Sequence, residues 1–253
     1  MSKLEQAVHE FLERRLLAER IDDLPLSKQQ RAARKADYLL RERAVIVEVK
    51  DIVDDREARV NEVVGRWRRR PGWPKTYGTL DIQDFLRLHP QREQINKELS
   101  EAVTCSLDGV LRNANRQIRA TKKSFELPAA RGTIFLVNDS IDLFEPKVLG
   151  AKLDNLLKKE RGDGTRCFPH ADSIVVFTAA HRVVESDGAP SDIVMTICLP
   201  PIDPAMLKDS FEHFVIEEWA AFKGLPLLRT EFITTPEQID AVRLVGKRPP
   251  LEI

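Results

Sequence analysis

Residues 35–50 constrain the fold most, because they form two short apolar runs joined by a charged turn. The run Val45-Ile46-Val47 is typical of a strand buried on both faces of a sheet. The segment continues as Glu48-Val49-Lys50, and side chains two residues apart lie on the same face of a strand. Antiparallel pairing around residues 41–43 brings Asp37, in the first run, beside them. We therefore expect two carboxylates and one ammonium group at one edge of a sheet, which is typical of a site for a metal ion and a nucleophile.

The Asp37, Glu48 and Lys50 pattern resembles that of the PD-(D/E)XK nuclease superfamily, which has the restriction-endonuclease-like fold. The resemblance covers the hairpin and, more loosely, the flanking helices, and Ala36 stands where the family has a proline. It implies a Mg²⁺-dependent endonuclease or other nuclease, with Mn²⁺ as a substitute metal. Asp37, Glu48 and the backbone carbonyl of Val49 would bind the metal, and Lys50 would position or activate the attacking water. A buried Glu–Lys pair at a strand end, with Asp37 as a cap, is the structural alternative.

Two further residues fit looser signatures of the same family. Gln117 resembles a catalytic Gln on the helix that follows the Lys strand, although a surface glutamine explains it equally well. Glu5 resembles an acid on the first helix that helps to bind metal in some members. Glu10 and Glu13 compete with Glu5 for that role, and a solvated helix face is the alternative for all three.

The order of predicted elements indicates an α/β protein with a mixed central β-sheet flanked by helices, as in the restriction-endonuclease-like core. That core needs three strands after its first helix, and residues 22–34 offer no strand before the hairpin. Apolar periodicity predicts helices and strands over numbered ranges: helices at 2–20, 51–70, 91–125, from 146, and 204–223, and further strands at 133–137, 173–177 and 193–199.

We expect one nuclease-like domain over residues 1–253, interrupted by a helical, basic and aromatic insertion at 54–90. Residues 170–253 would complete or extend the core. Part of the insertion is rich in cations and aromatic rings, which suit contacts with phosphates and unpaired bases. The alternative is that Trp67 and Trp73 are buried against the protein. The predicted nucleic-acid-binding residues are Arg66, Trp67, Arg68, Arg69, Arg70, Trp73 and Lys75.

The whole chain carries no net charge, since Lys+Arg and Asp+Glu are both 40. Any site for a polyanion must therefore come from local clustering. A stripe of cations on the 91–125 helix lies opposite its apolar face, and we expect it to face solvent. Its members are Arg112, Arg116, Arg119 and Lys123.

Three widely spaced cysteines indicate a reducing compartment, and the chain has no run of 18 apolar residues. The expectation is a cytoplasmic protein without membrane contact. Its partner would be nucleic acid, DNA in preference to RNA, and a homodimer would supply one site for each strand of a duplex. A catalytically inactive nuclease-fold module for nucleic-acid binding or protein assembly is the alternative function.

Overall fold

The structure is a computed structural model that describes residues 1–52, 62, 65–67, 69, 91–139, 146–184, 190–199, 209–224 and 244–247. The chain divides into two compact units. The first comprises Met1–Ile52 and Leu111–Ile253, and the second comprises Val53–Val110, a span that includes the predicted insertion.

The described residues form five α-helices and seven strands in an α/β order. The helices are α1 (Lys3–Arg14), α2 (Lys28–Ala32), α3 (Arg92–Ser124), α4 (Pro146–Leu157) and α5 (Phe211–Lys223), with a 3₁₀ turn at Ile21–Asp23. The strands are β1 (Glu19–Arg20), β2 (Tyr38–Leu40), β3 (Val45–Asp51), β4 (Arg131–Asn138), β5 (Ser173–Val184), β6 (Pro190–Cys198) and β7 (Leu244–Lys247).

One mixed sheet joins these strands in the order β1-β2-β3-β4-β5-β6, with β7 paired to β5. The central neighbours β3–β4 and β4–β5 are parallel, whereas β1–β2, β2–β3, β5–β6 and β5–β7 are antiparallel. The α/β class with a mixed sheet is thus confirmed. Because β3 and β4 are parallel, their connection has to cross the sheet, and it contains the long helix α3.

The strand missing from the sequence prediction is β1, which has only two residues. Glu19 pairs with Leu39 and Arg20 with Tyr38, so β1 extends the sheet beyond the hairpin. It lies where helix was predicted, because α1 ends at Arg14 rather than near residue 20. Leu17 has a φ of 52°, a left-handed conformation that an α-helix does not continue through.

The two faces of the sheet pack against different helices. Side chains of α1 and α5 share a core with alternate residues of β3, namely Val45, Val47 and Val49. Within that core, the ring centroid of Trp219 lies 5.1 Å from that of Phe11. On the other face, a Cβ at Gly132 of β4 would lie 2.8 Å from Ile118 of α3. Ile46, Glu48 and Lys50, which alternate with these three valines along β3, therefore face the α3 side.

Candidate active site

The register of the β2–β3 hairpin sets Asp37 against Glu48. Tyr38 pairs with Val47, and the backbone N–H of Asp37 donates to the carbonyl of Val47 at 3.2 Å, so Asp37 lies beside the part of β3 that carries Glu48. Neighbouring residues of a strand point to opposite faces of the sheet. Tyr38 and Val47 belong to the core formed with α1, so Asp37 and Glu48 lie on the face that α3 covers.

Asp37 is bonded to β3, and Glu48 and Lys50 of β3 contact each other. The backbone N–H of Val49 donates a hydrogen bond to Asp37 Oδ2 at 2.8 Å. The ammonium group of Lys50 forms an ion pair with Glu48 Oε1. The side chain of Glu48 is completely buried, while that of Lys50 is 21% exposed. The structure thus brings Asp37, Glu48 and Lys50 together, with Lys50 reaching the surface.

Both carboxyl groups favour their neutral form more than an exposed acid does. Burial, and after it the charge of Asp37, raises the pKa of Glu48 to about 8, against the opposing effects of Lys50 and Arg34. Burial also raises the pKa of Asp37, although the Val49 N–H and the Lys50 charge act in the opposite direction. Two buried carboxylates that destabilise each other's charge gain from a nearby cation.

One oxygen of this group has chemistry that fits a metal ion. Glu48 Oε2 is buried and has no hydrogen-bond partner among the described residues. Mg²⁺ prefers one or two carboxylates together with waters and substrate oxygens, rather than a full cage of protein ligands. In the described parts of the chain, no group of three or more His, Cys, Asp or Glu side chains could hold a metal. The two carboxylates of Asp37 and Glu48 are nevertheless enough for Mg²⁺, and the Val49 carbonyl is the further ligand that the resemblance implies.

Helix α3 holds the chain segment that leads into Asp37. The Gln117 side-chain amide donates to the carbonyl of Lys35 at 2.9 Å, and the N–H of Ala36 donates to Thr121 Oγ1 at 2.8 Å. Gln117 and Thr121 are both buried. Gln117 therefore contacts the backbone two residues before Asp37. Sequence reasoning missed Thr121, although it lies four residues after Gln117 and so on the same side of the helix.

Glu5 takes part in the N-terminal cap of α1. Its carboxylate accepts the N–H of Ser2 at 3.2 Å, and the Ser2 hydroxyl accepts the N–H of Glu5 at 3.1 Å. This reciprocal capping box satisfies backbone donors at the start of the helix. The capping box gives Glu5 a structural function at the start of α1.

A hydrogen-bonded chain on α1 reaches the same hairpin, and sequence reasoning missed it. The hydroxyl of Tyr38 donates to Glu13 at 2.9 Å, and Nδ1 of His9 lies 2.8 Å from that hydroxyl. Because the single Tyr38 proton is used towards Glu13, Nδ1 of His9 is the donor to the tyrosine oxygen. The charge of His9 acts to lower the pKa of Asp37.

The predicted basic and aromatic segment is described only in part. Arg66 and Arg69 are exposed, whereas Trp67 is 1% exposed. The Trp67 indole N–H donates to Glu98 at 2.9 Å, so this ring is packed inside the second unit rather than presented to a base. The other four predicted contacts lie outside the described residues: Arg68, Arg70, Trp73 and Lys75.

Comparison of the chain with protein families, with curated proteins and with solved structures gave no match. Among the described helices, none is both long enough and apolar enough to cross a membrane.

Proposed function

We propose that the chain is a metal-dependent nuclease that hydrolyses phosphodiester bonds, acting on DNA in preference to RNA. The observation that carries the proposal is the convergence of Asp37, Glu48 and Lys50 on one face of the β2–β3 hairpin. A buried Glu48 whose second oxygen has no partner among the described residues is costly in a purely structural ion pair.

The arrangement of elements supports the proposal independently of the three side chains. Helix α1 is followed by β1, β2 and β3, then by α3 and the parallel strand β4. This is the order of the restriction-endonuclease-like core that the motif resembles. The first strand, absent from the sequence prediction, is supplied by Glu19–Arg20.

The side chains divide the chemical work in the proposed reaction. Asp37 and Glu48 would hold Mg²⁺, which when bound relieves negative charge on the phosphate and lowers the pKa of a coordinated water. The ammonium group of Lys50 lies beside Glu48 and is partly exposed, so it can position the attacking water or stabilise charge that develops on the phosphate. Gln117 and Thr121 position Asp37 through the backbone of residues 35 and 36.

A substrate panel tests the proposal. Supercoiled plasmid, linear duplex, single-stranded DNA and RNA are incubated with the parent protein and with Asp37→Ala, with and without Mg²⁺. We expect Mg²⁺-dependent cleavage of DNA by the parent and none by Asp37→Ala. A parent that cuts none of the four substrates with Mg²⁺ or Mn²⁺ would refute the proposal.

Calorimetric titration distinguishes the alternative, an inactive nuclease-fold module that binds nucleic acid or assembles with protein. The nuclease requires a heat of Mg²⁺ or Mn²⁺ binding that disappears in Asp37→Ala. An exposed acid, Glu160, provides the matched control, since Glu160→Ala should bind metal as the parent does. Equal heats in all three proteins would favour the inactive module.

A further inference from the structure

The C-terminal half of α3 carries a marked excess of positive charge. Residues 110–125 contain five cations and no acid, although the whole chain has no net charge. Arg112, Arg116, Arg119 and Lys123 are exposed, which confirms that the stripe faces solvent. A local excess of this kind attracts anionic partners.

The loop before β5 adds a further cation, Arg166, to this charge. Lys122 Nζ lies 3.7 Å from Asp172 Oδ2, and Arg166 Nη2 lies 3.5 Å from Asp172 Oδ1. Asp172 also accepts the N–H of Gly132 at 2.9 Å, so one carboxylate is shared by two cations and a backbone donor. This carboxylate therefore neutralises only part of the positive charge around it.

The imidazole of His170 lies in the electrostatic field of these cations and of Asp172. Burial lowers its pKa, and the charges of Lys122, Arg119 and Arg166 lower it further, against the opposing charge of Asp172. The backbone N–H of His170 donates to Asn115 Oδ1 at 2.9 Å, which attaches this loop to α3. The loop and the helix thus present their cations as one connected surface.

The cations follow one side of the helix from this loop to Arg116. Successive residues of an α-helix are about 100° apart around its axis. Four cations of α3 therefore lie within an arc of about 120°: Lys122, Arg119, Lys123 and Arg116. Arg116 immediately precedes Gln117, whose side chain bonds the carbonyl of Lys35, two residues before Asp37. The distance from Arg116 to Lys123 along the axis is about 10 Å, which matches about three steps along one strand of a duplex.

We propose that this cationic face, defined as Arg116, Arg119, Lys122, Lys123 and Arg166, binds the phosphate backbone of a nucleic acid whose scissile bond lies at the candidate active site. The identity of the ligand rests on the proposed function. The contacts are to phosphates, so this face contributes affinity and orientation without reading sequence.

Binding experiments on an inactive protein test the proposal. The Lys50→Ala background removes cleavage, and fluorescence anisotropy measures binding of a short mixed-sequence DNA duplex over a series of salt concentrations. The test variant adds Arg116→Gln, Arg119→Gln and Lys123→Gln. The control adds Lys3→Gln, Arg14→Gln and Lys158→Gln, which remove the same charge from exposed positions on α1 and beside α4.

We expect at least tenfold weaker binding at low salt for the test variant and parent-like binding for the control. Loss of three phosphate contacts should reduce the slope of log K against log salt by about 2.7, at about 0.9 per contact. Equal weakening in both triple variants, or none in either, would overturn the proposal. Binding of a polyglutamate peptide is measured with the same proteins. If the test variant loses as much affinity for this peptide as for the duplex, the assignment to nucleic acid is overturned.

The outcome is separable from that of the proposed function. A protein that cuts DNA but binds it equally well with and without the three cations refutes only the cationic face. A protein whose binding depends on these cations but which never cuts with its native Lys50 refutes only the nuclease.

Discussion

Replacing Glu48 by Gln should remove a pH-dependent destabilisation of the metal-free fold. The side chain is completely buried, and burial together with the charge of Asp37 raises its pKa from 4.5 to about 8. A group whose pKa is raised on folding binds more protons in the folded state between those two values. The stability of the folded protein must therefore fall as pH rises from 4.5 to about 8.

The size of this effect follows from the same two values. The difference between 4.5 and about 8, at about 1.4 kcal/mol per pH unit, corresponds to on the order of 5 kcal/mol. Glutamine has nearly the same shape and carries no charge. At pH 5 we therefore expect Glu48→Gln to be about as stable as the parent, or less stable. Above pH 8 it should be more stable by several kcal/mol.

Urea unfolding at a series of pH values, without divalent metal, measures the difference between the two proteins. Glu160→Gln, a change at an exposed acid, provides the control and should leave the pH profile of the parent unchanged. Addition of Mg²⁺ above pH 8 should stabilise the parent and not Glu48→Gln. If the parent and Glu48→Gln have parallel stability profiles between pH 4.5 and 8, Glu48 is not held in a neutral state and the electrostatic reasoning is wrong.

Two further predictions concern the packing of α3. Gly132→Ala should destabilise the fold by several kcal/mol, because the new Cβ would lie 2.0 Å from the carbonyl oxygen of His170. A change below about 0.5 kcal/mol in the free energy of urea unfolding would contradict the close contact between Gly132 and the His170 carbonyl. Thr121→Val should cost about 1–3 kcal/mol, because it leaves the N–H of Ala36 buried without its acceptor. Hydrogen exchange at that amide should accelerate, and an unchanged rate would refute the contact.

The sequence was sufficient to predict the hairpin and most of the sheet. The apolar run at Val45-Ile46-Val47 marks β3, and the long periodicity ending near Phe125 marks α3. These signals come from repeated burial along one element. Two-residue β1 has no such signal, because both its side chains are exposed and neither is apolar. A strand of this kind is defined by its neighbour, so no local pattern reveals it.

The site was predictable to the extent that its residues are close in sequence. Glu48 and Lys50 are two apart on one strand, and Asp37 follows from the hairpin register. The contact between Gln117 and Lys35 joins residues 82 positions apart, and that contact depends on how α3 crosses the sheet. The ion pair between Lys122 of α3 and Asp172, before β5, likewise joins distant parts of the chain and arises only from the tertiary fold.

The single-turnover rate of DNA cleavage by Lys50→Ala tests the central claim most directly. Lys50 contacts Glu48 and contributes no metal ligand, so the variant should fold and bind Mg²⁺ while it loses cleavage by at least a hundredfold. Lys3→Ala, at an exposed position of α1, should cut as the parent does. Cleavage by Lys50→Ala at the parent rate, under the same Mg²⁺, would contradict the assignment of the hairpin as the active site.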